Sequence, residues 1–131
     1  MEYAIPREAL KDTLREFMKV ANRRDLAVQF PIEVRFAAAD DVWLSTAHER
    51  DSAYIAVHQY QRSPYTEYFD AAEAIFRAAG GRPHWGKMHS LAASDLSPLY
   101  PRFDEFVQLR QQLDPRGVFS NYYTNHVFGG L

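Results

Sequence analysis

Glu33 and Arg35 stand two residues apart in Ile32-Glu33-Val34-Arg35-Phe36, a run in which apolar and polar side chains alternate. In an extended chain that spacing sets a carboxylate and a guanidinium about 6.6 Å apart on one face. Such a pair can address neighbouring hydroxyls of one polyol through charge-assisted hydrogen bonds. A second alternating run, Ala53 to Tyr60, puts Ile55 and Val57 on one face and Tyr54, His58 and Tyr60 on the other. The His58 imidazole is a group able to accept a hydroxyl proton near neutral pH. The third grouping is His84-Trp85-Gly86-Lys87, an amine beside an indole and an imidazole, with Gly86 permitting a sharp backbone path. Each grouping also has a plain structural account. Alternation with an ion pair is what the solvated face of an antiparallel sheet carries, and a strand-end turn with a core Trp leaves its Lys in water.

Other chemistries find no support. Cysteine is absent, which excludes a disulfide framework, a thiolate metal site and a nucleophilic thiol. His84 and His89 are five residues apart and His48 has no partner at helical spacing, so no metal site is expected. Ser45, Ser52 and Ser63 lack the Gly-x-Ser-x-Gly setting of a nucleophile elbow. No glycine-rich phosphate loop is present, and Asp40-Asp41 reads as a loop with solvated acids. With 15 basic against 17 acidic residues and no basic half, nucleic acid is a poor partner. The longest apolar runs are a few residues, too short to span a bilayer. The sequence after Met1 reads as structured from the start, so no charged-then-apolar leader is expected.

The elements that must position these residues follow from the periodicities. A length of 131 residues with 47% hydrophobic side chains predicts one domain, 1–131, with one core. Glu2 to Ile5 reads as a strand ended by Pro6, which can open a helix. That helix carries Ala9, Leu10, Leu14, Phe17, Met18 and Ala21 at helical spacing. Strands follow at 32–38 and 53–60, their apolar faces packing under the helices. Ser63-Pro64 opens a second helix with a stripe of Tyr68, Phe69, Ala72, Ile75 and Phe76, and Gly80-Gly81 stops it. Arg82 to Lys87 reads as a short strand leaving the core, and a third helix starts near Pro101. Residues 118–131 are aromatic without a clear period; Tyr122, Tyr123 and Phe128 suit docking on another surface and self-packing equally. Strand, helix, strand, strand, helix, strand, helix predicts an α+β fold, an antiparallel sheet with helices packed on one face, ferredoxin-like in outline.

Five segments then occur in a telling order: Phe30-Pro31-Ile32-Glu33-Val34-Arg35, Tyr54-Ile55-Ala56-Val57-His58, Gly81-Arg82-Pro83-His84-Trp85-Gly86-Lys87, Tyr100-Pro101, and Leu113-Asp114-Pro115-Arg116-Gly117-Val118-Phe119-Ser120-Asn121. Over nearly its whole length the chain resembles the C-terminal substrate (cap) domain of the aldonolactone oxidases, the D-arabinono-1,4-lactone and L-gulono-1,4-lactone oxidase group. Alditol (xylitol) oxidases of the vanillyl-alcohol-oxidase fold are relatives. The resemblance implies an FAD-dependent oxidoreductase acting on CH–OH groups of an aldonolactone or polyol. In that family FAD is bound mainly by an N-terminal domain, and its glycine-rich and His-bearing motifs have no counterpart in 1–131. This chain alone is then expected to be inactive, with the missing FAD-binding domain as partner and the 118–131 tail docking on it.

Carried over by position, the resemblance makes Glu33 and Arg35 the pair that holds sugar hydroxyls. Lys87 reaches the substrate oxygen near the flavin and His58 lies by the reacting carbon. Tyr60 joins the substrate-binding set where a smaller hydroxyl residue is usual in alditol oxidases. His84, with Trp85, orients Lys87. The bacterial members imply a cytoplasmic location. Two alternatives remain open on the residues themselves: a stand-alone polyol-binding module, and a protein-interaction domain whose isolated chain self-associates through its aromatic tail.

Overall fold

The computed structural model describes residues 1–130. β1 (Glu2–Pro6) runs through Pro6 into a 3-10 turn, Arg7–Ala9, and then α1 (Leu10–Ala21). β2 (Glu33–Ala37), β3 (Ser52–Ala56), α2 (Thr66–Ala78) and β4 (Arg82–Pro83) follow. α3 (Ala93–Leu96), α4 (Phe103–Leu113) and α5 (Tyr122–Phe128) complete the described elements. The four strands form one sheet in the order β2-β3-β1-β4, with every neighbouring pair antiparallel. β1-α1-β2 therefore steps over β3, and β3-α2-β4 steps over β1. These interleaved split βαβ units are the ferredoxin-like α+β arrangement expected from the element order.

Directly opposed residues of antiparallel strands share a face, so the register separates two faces. Tyr3, Ile5, Ala53 and Ile55 lie on the face covered by α1 and α2, and all four are fully buried. Phe17 of α1 and Phe76 of α2 meet there with ring centroids 5.4 Å apart, and Phe76 lies 5.7 Å from Tyr3. The helical stripes read from the sequence thus close the core, except for Met18, which lies at the edge of the α1 stripe and is 40% exposed. Gly80 ends α2 at φ +71°, a left-handed conformation that suits glycine. At Gly81 a Cβ would sit 2.5 Å from the Phe76 carbonyl oxygen, so only glycine allows β4 to start this close to the helix.

Several boundaries differ from expectation. Phe36 shares the face of the buried strand residues but is 57% exposed. It sits on edge strand β2, beyond the helix pair that covers the central strands, under the Arg7 guanidinium at 5.2 Å. β3 ends at Ala56, so His58 and Tyr60 lie past the strand rather than within it. α2 begins at Thr66 instead of Pro64, because its first helical bond runs from the Phe69 N–H to the Tyr65 carbonyl, 2.8 Å away. The strand expected over 82–87 is only Arg82–Pro83, since Lys87 N–H turns back to the His84 carbonyl at 3.0 Å.

The second face of the sheet is partly covered too. Arg82, opposite Ala4 in the register, points away from the helices and is buried. Its guanidinium donates to the carbonyls of Leu99 and His48, each at 2.8 Å. Arg50 donates to the carbonyls of Ala4 at 2.7 Å and Gly80 at 2.8 Å. The Trp85 indole N–H reaches the Leu44 carbonyl at 2.8 Å. These bonds fasten residues 44–50 and the turn at Ser97–Leu99 to the β1 and β4 side, whereas Glu33 and Arg35 of β2 stay half exposed.

The aromatic tail contains a helix that its sequence does not announce. Asp114 takes the N–H groups of Val118 and Phe119, each at 2.8 Å, and Asn121 with Thr124 forms a reciprocal cap on α5. Val127 is fully buried, and Phe128 packs against Trp85, Phe103 and Phe106. Part of the tail is thus self-packed, while Val118, Phe119 and Tyr122 are 65%, 83% and 87% exposed. Leu131 of the expected docking tail lies outside the described residues.

Candidate functional site

The sheet lays the polar residues in rows. Glu33, Ala56 and Glu2 are mutual register partners, and His84 N–H joins that row at the Glu2 carbonyl, 3.0 Å away. Arg35, Tyr54, Ala4 and Arg82 form the adjacent row on the same face. Glu33, Arg35 and Tyr54 therefore share a face as their alternation predicted. Arg35 Nε lies 3.1 Å from Glu33 Oε1, and its Cζ stands 5.8 Å from the centre of the Tyr54 ring.

The pair has a third member. Arg35 Nη2 donates to Glu2 Oε1, and Glu2 is only 3% exposed. The sequence reading treated Glu2 as an ordinary strand residue. The available signal was its position: an acid at the buried end of an apolar strand needs a cationic partner to stay there. Arg35 therefore does two things, neutralising a buried carboxylate and presenting its remaining donors to solvent.

His58 follows the strand parity of Ala56 but lies beyond the end of β3. The Val57 N–H to Met1 carbonyl bond, 3.0 Å, carries the β1–β3 pairing one step further and leaves His58 half-buried at the sheet end. The ring meets Phe30 edge-on, with centroids 6.5 Å apart. His58 and Tyr60 both line a cavity of about 350 Å³, walled on its apolar side by Val57, Tyr65, Phe69 and Met88. That volume falls in the range of small-ligand pockets.

His84 to Lys87 form a tight turn. His84 Nδ1 accepts the Gly86 N–H at 3.0 Å, so one ring nitrogen is committed to shaping the turn. Lys87 stands exposed. Met88, next to Lys87, lines the same cavity as Val57, His58 and Tyr60, which puts this turn at the same end of the sheet. The structure thus gathers two subsets, Glu33, Arg35 and Glu2 on the open face and His58 with Tyr60 at the sheet end, and sets the turn bearing Lys87 beside them.

Electrostatics around the site are set mainly by desolvation. Burial, together with the neighbouring Arg82 charge, lowers Arg50 to about 10, and burial also lowers Arg82. His89 is depressed as well, by burial first and by His126 in the same direction, with Glu73 opposing. A folded-state imidazole held below its unfolded value stays neutral while the unfolded chain gains a proton. Stability from this source is therefore complete above about pH 6.5 and declines as pH falls below it, flattening once the folded chain is protonated too. The loss of denaturation midpoint between pH 7 and pH 5 should be smaller in His89→Gln than in the natural chain. Equal losses in urea titrations of both would remove this assignment.

No helix among the described residues is long and apolar enough to cross a membrane. Among them there is also no group of three or more His, Asp or Glu able to hold a metal ion.

Comparison with known proteins places this arrangement. Residues 1–127 match the family described as D-arabinono-1,4-lactone oxidase. The L-gulono-1,4-lactone dehydrogenase of Mycobacterium tuberculosis is 50% identical over 129 residues, covering 98% of this chain and 30% of that protein. The L-gulonolactone oxidase of Bos taurus is 41% identical over 133 residues, again covering 30% of its length. The alditol oxidase of a Streptomyces species is 31% identical over 132 residues and is covered to 31%. This chain therefore spans about 30% of the length of these relatives. With the family matched from the first strand to the buried Val127 of the last helix, the chain belongs to the D-arabinono-1,4-lactone oxidase family of sugar oxidoreductases.

Proposed function

We propose that this chain is the substrate-holding part of an FAD-dependent oxidoreductase that oxidises an aldonolactone or alditol at a CH–OH carbon. The observation that carries the reading is the shared sheet face of Glu33 and Arg35, which continues through the Glu2 row to the turn bearing Lys87. Half-exposed carboxylate and guanidinium groups side by side match adjacent hydroxyls of a sugar. The residues fit the substrate side of such a site and not its phosphate side: α1, α2, α4 and α5 are preceded by Ala9, Tyr65, Arg102 and Asn121, none of them in a glycine-rich loop. FAD, held by another part of the protein, would supply the hydride acceptor.

In this reading Glu33 accepts a hydrogen bond from one hydroxyl, and Arg35 donates to its neighbour. The Lys87 amine holds a substrate oxygen, and a ring nitrogen of His58 takes the hydroxyl proton. The Tyr60 hydroxyl borders the same cavity, and His84 shapes the turn. The partner is the FAD-binding domain, with exposed Val118, Phe119 and Tyr122 as docking residues, and the setting is cytoplasmic.

The test joins this chain to the part of the mycobacterial relative that it does not cover and follows lactone oxidation with a dye acceptor. Lys87→Ala should lower kcat at least about 100-fold, whereas Glu33→Gln should raise KM about tenfold with kcat little changed. Natural kinetics in both variants would sink the site assignment. The exposed Phe119 and Tyr122 favour a second reading, a protein-interaction module without catalysis. It would gain if the joined protein were inactive and the lone chain captured itself in sedimentation experiments.

A further inference from the structure

We infer that Tyr123 is a positioning residue for Lys87, its hydroxyl tying together the two ends of the turn that displays the amine. The inference rests on the reading of Lys87 given above and extends it to a residue outside the substrate face. A lysine amine rides on four flexible carbons, so its placement is only as good as the backbone beneath it. Here the backbone is gripped on both sides. Tyr123 Oη donates to the Trp85 carbonyl at 2.6 Å, two residues before Lys87. The same oxygen lies 3.1 Å from His89 Nε2, two residues after it.

Proton inventory fixes the directions. A phenol has one proton to give, and the Trp85 carbonyl has none, so the Tyr123 proton goes there. The Tyr123 oxygen must then accept from His89, which requires the neutral imidazole to carry its proton on Nε2. Burial favours the neutral imidazole.

Further bonds steady the flanks without spanning them. The Trp85 indole donates to the Leu44 carbonyl, and Ser90 N–H and its hydroxyl donate to the buried Glu73 carboxylate. Among the described residues, Tyr123 is the one whose side chain hydrogen-bonds to both ends. Its own helix is anchored by the Asn121–Thr124 cap, by buried Val127 and by Phe128, whose ring lies 5.4 Å from Trp85. Tyr123 itself is 39% exposed, so its hydroxyl matters for this tie more than for the core.

Tyr123→Phe removes the hydroxyl and keeps the ring. In this chain the Lys87 amide, which donates to the His84 carbonyl, should exchange its hydrogen about tenfold faster. The His89 ring nitrogens should lose their single-tautomer signature in ¹⁵N spectra, while the thermal midpoint moves by under about 4 °C. Lys11→Gln, at an exposed site on α1, is the silent control. In the joined protein described above, Tyr123→Phe should lower kcat about tenfold at nearly constant KM. Unchanged exchange and tautomer would overturn the inference and leave the function standing. A loosened turn with unchanged kcat, where Lys87→Ala still abolishes turnover, would overturn it as well. If Lys87→Ala has no effect, the proposed function fails and the positioning role fails with it.

Discussion

Phe76→Ala should destabilise the fold by about 3–5 kcal/mol, the usual cost of emptying a buried aromatic site. In a chain of this length that corresponds to a thermal midpoint lowered by roughly 10–20 °C. Phe76 is fully buried and lies where α1, α2 and β1 meet, its ring against both Phe17 and Tyr3. The site has little room to collapse into the void. β4 already starts in contact with the Phe76 backbone through Gly81, and Tyr3 is held in place by its hydrogen bond to Glu73. Phe119→Ala, at 83% exposure, should stay within about 0.5 kcal/mol of the natural chain. A loss below about 1 kcal/mol at Phe76 would mean that the helix pair does not close over β1 as described.

Arg35→Ala should cost about 1–3 kcal/mol of stability, because it strips the buried Glu2 carboxylate of its cation. Glu33→Gln, at a half-exposed position, should cost less than about 0.5 kcal/mol. The decisive measurement is a double-mutant cycle by urea denaturation. Glu2→Gln made in the Arg35→Ala chain should recover most of the loss, since it removes the stranded charge. Simple additivity of the two changes would show that the ion pair does not stabilise the sheet. The result also governs how binding data are read. Weaker substrate binding in Arg35→Ala mixes lost contacts with a loosened sheet, whereas Glu33→Gln reports on contacts nearly alone.

The sheet and its main helices were legible because their signals are long and regular. α1 and α2 run for 12 and 13 residues, enough for a stripe to repeat, and β2 alternates cleanly. Short elements escaped. α5 has only seven residues, too few for a period, and it is fixed by the Asn121 cap and by Val127 and Phe128 packing, which are tertiary facts. Phe36 was placed inside because alternation names a face but not how far the covering helices reach. The polar face was legible for Glu33, Arg35 and Tyr54, whose period-two spacing fixes it. Glu2 was missed because its partner lies 33 residues away, and Tyr123 because its hydrogen bonds reach back 38 residues to Trp85 and 34 to His89.

The interleaved sheet also makes one pairing costlier than the other. β2 and β3 pair from Ala37 and Ser52 outward, a short closure, whereas β1 must find Ser52 from Pro6 across a segment about three times as long. That difference adds about 1 kcal/mol of loop-closure entropy to the central pairing, and non-local pairing of this kind slows folding. Closing β2 on β3 is thus the cheaper of the two pairings, and the costlier β1 pairing is the one that brings Glu2 to Arg35. Without it Arg35 has no buried carboxylate to neutralise, and His84 has no Glu2 carbonyl to anchor its turn. The long-range pairing that completes the sheet is therefore also the one that frames the polar face.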